Sequence, residues 1–308
     1  MEAEHVLLQR AVTVVLNLSF ALLVGAGAAS LWLHARRSAW ARALAPRLRR
    51  TMLLAAGAAL AAYAAILWIE AASMAEVPLA KAWPAVRSVI EATHYGLAWM
   101  TGAAALLVVA LSAALARGRT AWIGIAALAV LLYSRSMVSH AGAGGDVSWA
   151  VALDWLHLVL VSLWVGEVVV AGLLVLRRLP DDGSQGSADC AAYVEALSRN
   201  ATVALAGIVA TGLLGALRVL ETPQDLAGNP YGSALLLKVA LVLCAAALGG
   251  INRFVVMPSL LEALRHPTHT MNDSRHRFAR ILRLEALFLL AAVIAAAVLT
   301  STPPPMAS

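Results

Sequence analysis

Apolar residues run along this chain in stretches of about 20, each closed by arginines or by a short polar turn. An α-helix rises 1.5 Å per residue, so about 20 such residues cross the roughly 30 Å hydrocarbon core of a bilayer. The pattern predicts eight spans, near residues 9–33, 51–74, 88–115, 120–140, 148–176, 198–221, 232–252 and 281–301. The expected fold class is therefore an all-α polytopic membrane protein, a bundle of eight transmembrane helices in one domain over residues 1–308.

The polar links alternate in charge. Link 34–50 carries Arg36, Arg37, Arg42, Arg47, Arg49 and Arg50, and the short link at 116–119 carries Arg117 and Arg119. Arg177 and Arg178 follow the fifth span, and 253–280 holds Arg253, Arg265, Arg275, Arg277 and Arg280. The intervening links are poor in basic residues, with only Lys81 and Arg87 in one and none in 141–147. Basic residues gather on the cytoplasmic side, so both termini are expected on the outer side of the membrane. The first residues, MEAEHVLLQR, lack a basic leader, so the first apolar run reads as a span and not as a cleaved signal.

Composition fits the pattern. The chain is 61% hydrophobic and 13% charged, with a mean hydropathy of +0.81, against about 25% charged in soluble domains. The net charge of +6 comes from arginines at span ends, which points to the lipid bilayer as partner and not to nucleic acid. Cys190, in a polar 180–190 loop, and Cys244, mid-span, form no disulfide framework.

Ionisable residues at membrane depth are costly, so each is a functional candidate. His94, His140 and His157 are expected in the outer third of three consecutive spans. Each has a possible partner three residues earlier, on the same helix face: Glu91, Met137 and Asp154. Glu70 and Met74 add a similar pair on span two. Imidazole and thioether together suit copper, as Cu(I) or Cu(II), with zinc second. The plain alternative is that each histidine bonds a neighbouring helix and each methionine fills a packing gap.

Other charges are expected at depth. Lys238 needs a partner or a wet cavity, with Asp154 and Glu221 as candidates, and Arg218 is expected to pair with Glu221. Arg135 also falls in the outer half. Glu167 lies about 15 Å beyond His157 along the helix, either as a relay for a cation or proton or as a helix-pairing group. His266, His269 and His276 sit among arginines and read as a solvated basic face.

Several stretches in order resemble the bacterial CopD/PcoD copper-resistance D family. They are THYGLAW (93–99), SHAGAGG (139–145), DWLHLVLVSLWVG (154–166), YGSALLLK (231–238), GGINRFVVMP (249–258) and the segment from Arg283 through Pro305. Trp164 and Gly166, as a W-x-G following His157, are especially similar to that family. The resemblance implies copper handling at the inner membrane, with copper moving from periplasm to cytoplasm and a periplasmic copper-binding protein as a possible partner. His140 and His157 fall on histidines typical of the family, and Lys238, Asn252 and Arg253 on its other polar positions. His94 falls where relatives often carry another polar residue, and Glu167 where many carry a small one.

On this reading His140, His157, His94 and Met137 are copper ligands, with Asp154 orienting His157. Span five and Lys238 also resemble the HemJ group of membrane protoporphyrinogen oxidases. That resemblance implies a b-type haem, with His94 or His140 opposite His157 and basic residues on the propionates. A copper sensor or scaffold that moves no metal is the third possibility.

Overall fold

A computed structural model of the chain describes residues 2–115, 118–177, 180, 184–220, 226, 229–265 and 271–302. Ten α-helices account for most of them: α1 (Glu2–His34), α2 (Ala39–Met74), α3 (Trp83–Ala92), α4 (His94–Leu115), α5 (Gly118–Met137), α6 (Trp149–Val170), α7 (Ser184–Val219), α8 (Pro230–Ile251), α9 (Met257–Arg265) and α10 (Met271–Thr300). A π-helical turn, Ala171–Val175, extends α6, and another, Asn252–Val256, joins α8 to α9 in one continuous rod. Eight of the resulting rods are long and apolar enough to cross a bilayer, so the chain is a multi-pass membrane protein. Arg10 Nε donates to Ser301 Oγ at 2.7 Å, which puts the start of α1 and the end of α10 at the same end of the bundle. We call this the terminal end.

Helix starts follow local chemistry. Ser38, Ser148 and Asn229 cap α2, α6 and α8, their side chains accepting from the amides of Ala41, Val151 and Gly232. Pro84 and Pro230 each stand in the first turn of a helix, where the missing amide proton costs nothing.

Three boundaries differ from the sequence expectation, each for a physical reason. The arginine-rich link 34–50 is largely helical, because α2 begins at Ala39 and runs through Pro46. Loop 180–190 is likewise helical from Ser184, so Cys190 is buried in α7 and not in a polar loop. Beyond the apolar stretches, Trp40, Leu44, Tyr193, Leu260, Leu264 and Phe278 still pack into the same core. Arginine-rich ends read as loops because their charges mask this buried stripe. Arg36 covers the Trp32 ring at 4.4 Å and lies 3.7 Å from Asp189.

The third difference is at span three. The chain breaks at Thr93, whose extended backbone (φ −122°, ψ 153°) ends α3. The Thr93 hydroxyl donates to the Val89 carbonyl at 2.7 Å and accepts from the Gly96 amide at 3.0 Å, so one side chain closes α3 and opens α4. A Cβ on Gly96 would fall 2.1 Å from the Val89 carbonyl oxygen, so only glycine permits this corner. The separate α3 packs Val86 and Val89 on Leu67 and Ala71 of α2, and Trp83 stacks on Trp68.

Two cores share α1. One joins it to α2, α4 and α5 through Leu16, Phe20 and Leu23; the other joins it to α6, α7, α8 and α10 through Ala21, Ala26 and Ala29. Its tightest crossing is with α6, where Gly25 and Gly166 face each other. A Cβ on Gly166 would lie 1.9 Å from the Ala21 carbonyl oxygen, and one on Gly25 2.1 Å from the Gly166 carbonyl carbon. The backbones meet without side chains between them, as small residues allow in membrane bundles.

Candidate functional site

A chamber of about 210 Å³ opens at the terminal end among α1, α5, α6, α8 and α10. Its polar lining includes Arg135, Ser139, Asp154, His157 and Lys238, and Trp164 contributes to its wall deeper along α6. Asp154 and His157, three residues apart, project into it from one face of α6 as expected. Lys238 lines the chamber with both. Of its two expected partners, Asp154 shares its chamber, and Glu221 lies outside the described residues, as do His266 and His269.

The orientation of His157 comes from a residue with no assigned role in the sequence reading. Its Nδ1 lies 2.8 Å from Thr211 Oγ1 on α7. The Thr211 hydroxyl has one proton and donates it to the Gly207 carbonyl at 2.7 Å. With that proton on Gly207 the hydroxyl accepts from His157, an arrangement that puts the imidazole proton on Nδ1 and leaves the Nε2 lone pair available. Asp154, expected to orient the ring, instead accepts from the Ser139 hydroxyl at 3.1 Å.

Of the expected ligands, His157 lines the chamber and His94, His140 and Met137 do not. His140 opens a three-ten turn, His140–Gly144, and is exposed. It does not line the chamber, but its neighbour Ser139 does and ties the turn to α6 through Asp154. Met137 ends α5, so it and His140 are not on one helix turn as expected. Gly145 closes the turn at φ 98°, a left-handed backbone suited to glycine. His94 stands at the first residue of α4 and not inside a span, its Nε2 2.7 Å from Asp146 Oδ1. The expected Glu91–His94 pair is absent because α3 ends between them, and Glu91 accepts from Arg87 at 2.8 Å. Glu70 accepts from Gln9 at 2.6 Å. Among the described residues, no three His, Cys, Asp or Glu side chains gather into one cluster. His94 and His140 do not join His157 in the chamber, so the facing histidine pair of the haem reading is not formed.

Deeper in the bundle, Glu167 is buried and accepts from Asn200 Nδ2 at 2.9 Å; its Oε2 has no hydrogen-bond partner among the described residues. The Trp164 indole donates to Glu285 Oε1 at 3.0 Å, joining α6 to α10. The glycine of the W-x-G motif is explained by the α1 crossing. Asn252 begins the π turn after α8 and is buried. Arg253 next to it donates to Ser198 O (3.0 Å), Ser198 Oγ (3.1 Å) and Thr202 Oγ1 (2.6 Å), joining that turn to α7.

Two residues of consequence escaped the sequence reading, Thr211 and Glu285. A mid-span threonine carries no charge to draw notice. Glu285 did carry a signal, as an acid inside an apolar run.

Residues 3–149 match the family model described as Copper resistance protein D-like, N-terminal domain, and residues 191–299 match that of Copper resistance protein D. Copper transport protein CutJ of Bacillus subtilis (strain 168) is 27% identical over 229 residues, covering 71% of this chain and 39% of that protein. Copper resistance protein D of Pseudomonas syringae pv. tomato is 28% identical over 269 residues, covering 84% of each. The chain thus spans 39% of the length of the first relative and 84% of the second. No solved structure matches it.

Proposed function

The chain belongs to the copper resistance protein D family, and from that premise we propose that it binds copper at the terminal end and carries it inward across the membrane. The observation that supports this most is the His157–Thr211 pair, which leaves a neutral imidazole nitrogen available beside a chamber within the bundle. Copper is the cargo. His157 is its ligand in the chamber, and exposed His140, with Met137 behind it, receives copper at the mouth. His94, held by Asp146 on the rim, assists capture, and Glu91 adds negative charge nearby.

Asp154 offsets part of the positive charge that Lys238 and Arg135 bring to the chamber. Glu167 is a relay candidate further down α6. The terminal end faces the periplasm of a bacterial inner membrane, since the arginines gather at the other end. A periplasmic copper-binding protein would deliver its metal to the exposed His140–Gly144 turn.

Purified protein should bind copper, and the double replacement His140→Ala, His157→Ala should abolish binding; unchanged stoichiometry would remove the site. Proteoliposomes separate a carrier from a sensor or scaffold, which would bind copper without accumulating it inside.

One observation favours the haem reading: Arg135 and Lys238 both line the His157 chamber, where propionates would need them. The residues do not fit a haem held by two histidines, because among the described residues no second histidine reaches that lining. An absorption spectrum of the solubilised protein decides the point. A Soret band lost on His157→Ala would replace copper by haem.

A further inference from the structure

Beyond Trp164 lies a second cavity, of about 350 Å³, whose walls run toward the arginine-rich end as far as Met257 and Phe278. Trp164 lines both cavities. The second cavity is lined by different chemistry. Among the described residues it has no histidine; its polar groups include the Glu285 carboxylate, the Asn252 amide and the hydroxyls of Ser198 and Thr202.

Asn252 is 4% exposed, and its Oδ1 has no hydrogen-bond partner among the described residues. Glu285 is 3% exposed. Space for its carboxylate depends on Gly249, where a Cβ would stand 3.2 Å from Oε1 and 3.5 Å from Oε2. Arg253 lines the same cavity, but its guanidinium is directed to Ser198 and Thr202. A buried carboxylate beside an unpartnered amide oxygen is costly unless a cation visits it. Hard oxygen donors suit a proton better than a soft copper ion.

We propose that the Trp164 indole partitions the two cavities, that the second is a proton site on Glu285, and that occupancy of that site releases the partition. The inference rests on the carrier reading above. A charged carboxylate holds the indole N–H by a charge-assisted bond, roughly twice as strong as a neutral one. A proton taken from the aqueous phase at the arginine-rich end neutralises Glu285, weakens that bond and lets the indole swing, joining the two cavities. Loss of the proton restores the partition.

The elements packed against α10 carry other charged or titratable groups: Arg10 and His34 at the two ends of α1, Asp154, His157 and Glu167 on α6, Lys238 on α8, Arg253 after it, and Glu262 and Arg265 on α9. Arg283 lies on α10 itself. His157 lines the first cavity and Glu285 the second.

The test is copper uptake into proteoliposomes of the full chain, with lumen pH varied and external pH fixed. Acidifying the lumen should accelerate wild-type uptake several-fold. Glu285→Gln, a lasting analogue of the protonated acid, should give the faster rate at every lumen pH, with copper stoichiometry unchanged. Trp164→Phe, which lacks the N–H, should be equally insensitive and serves if the glutamine variant does not fold. Lumen-pH dependence preserved in the variant that folds, or uptake abolished while binding persists, overturns the proton site and leaves the carrier reading standing. Wild-type vesicles that accumulate no copper overturn the carrier reading, and this inference falls with it.

Discussion

Replacing Thr211 by valine tests the proposed copper site at its most specific point. The side chain keeps its shape and loses the oxygen that receives the His157 Nδ1 proton at 2.8 Å. Thr211 is 6% exposed, so water cannot readily take over that role. The ring then loses its fixed tautomer and orientation, and Nε2 is no longer held ready. Loss of such a supporting partner costs about 10- to 100-fold in metal affinity, or about 1.4–2.7 kcal/mol. Folding should suffer less, by about 0.5–1.5 kcal/mol for one hydrogen bond. Cu(I) affinity is read by competition with a chromophoric chelator, and stability by thermal unfolding in detergent. Thr211→Ser should restore most of the affinity. If valine leaves affinity unaltered while His157→Ala removes binding, the tautomer argument is wrong.

Other substitutions probe the frame around the site. Gly166→Ala places a methyl against the backbone of α1, so it should cost more than the ~1–3 kcal/mol of ordinary overpacking. Gly57→Ala, with nothing within 4 Å, should stabilise α2 by up to about 1 kcal/mol; thermal unfolding of the two side by side checks both. Arg253→Lys keeps the charge and loses the forked contacts to Ser198 and Thr202, for an expected loss of about 1–2 kcal/mol in the same assay. Asp146→Ala frees His94 from a partly exposed pair worth about 0–1 kcal/mol. It should slow copper capture in stopped-flow mixing without changing affinity at equilibrium.

The eight membrane rods were legible because their apolar runs exceed anything a soluble helix needs, and charge alternation divided them. Their ends were not legible where arginines ride on helices that leave the bilayer, as on α2 and α9. The Thr93 corner carried a readable cue, a threonine three residues ahead of Gly96, but the apolar run on both sides of it outweighed that cue. At the site, three residues' spacing correctly put Asp154 and His157 on one face. Nothing in the order of residues shows that Thr211, more than fifty positions later, meets the ring of His157. The expected gathering of His94, His140 and His157 assumed that neighbouring helix ends bring side chains together. One break and one tight turn leave two of them outside the chamber lining.

The crossing of Gly25 with Gly166 bears on how such a bundle can move. Two backbones in direct touch resist being pulled apart, yet with no interlocked side chains between them they resist swivelling far less. Were the bundle to rock, that contact would serve as its fulcrum, with α4 and α5 in one arm and α7, α8 and α10 in the other. Tilting about it would widen one mouth while narrowing the opposite one, so neither arm would have to come apart for the two faces to open in turn.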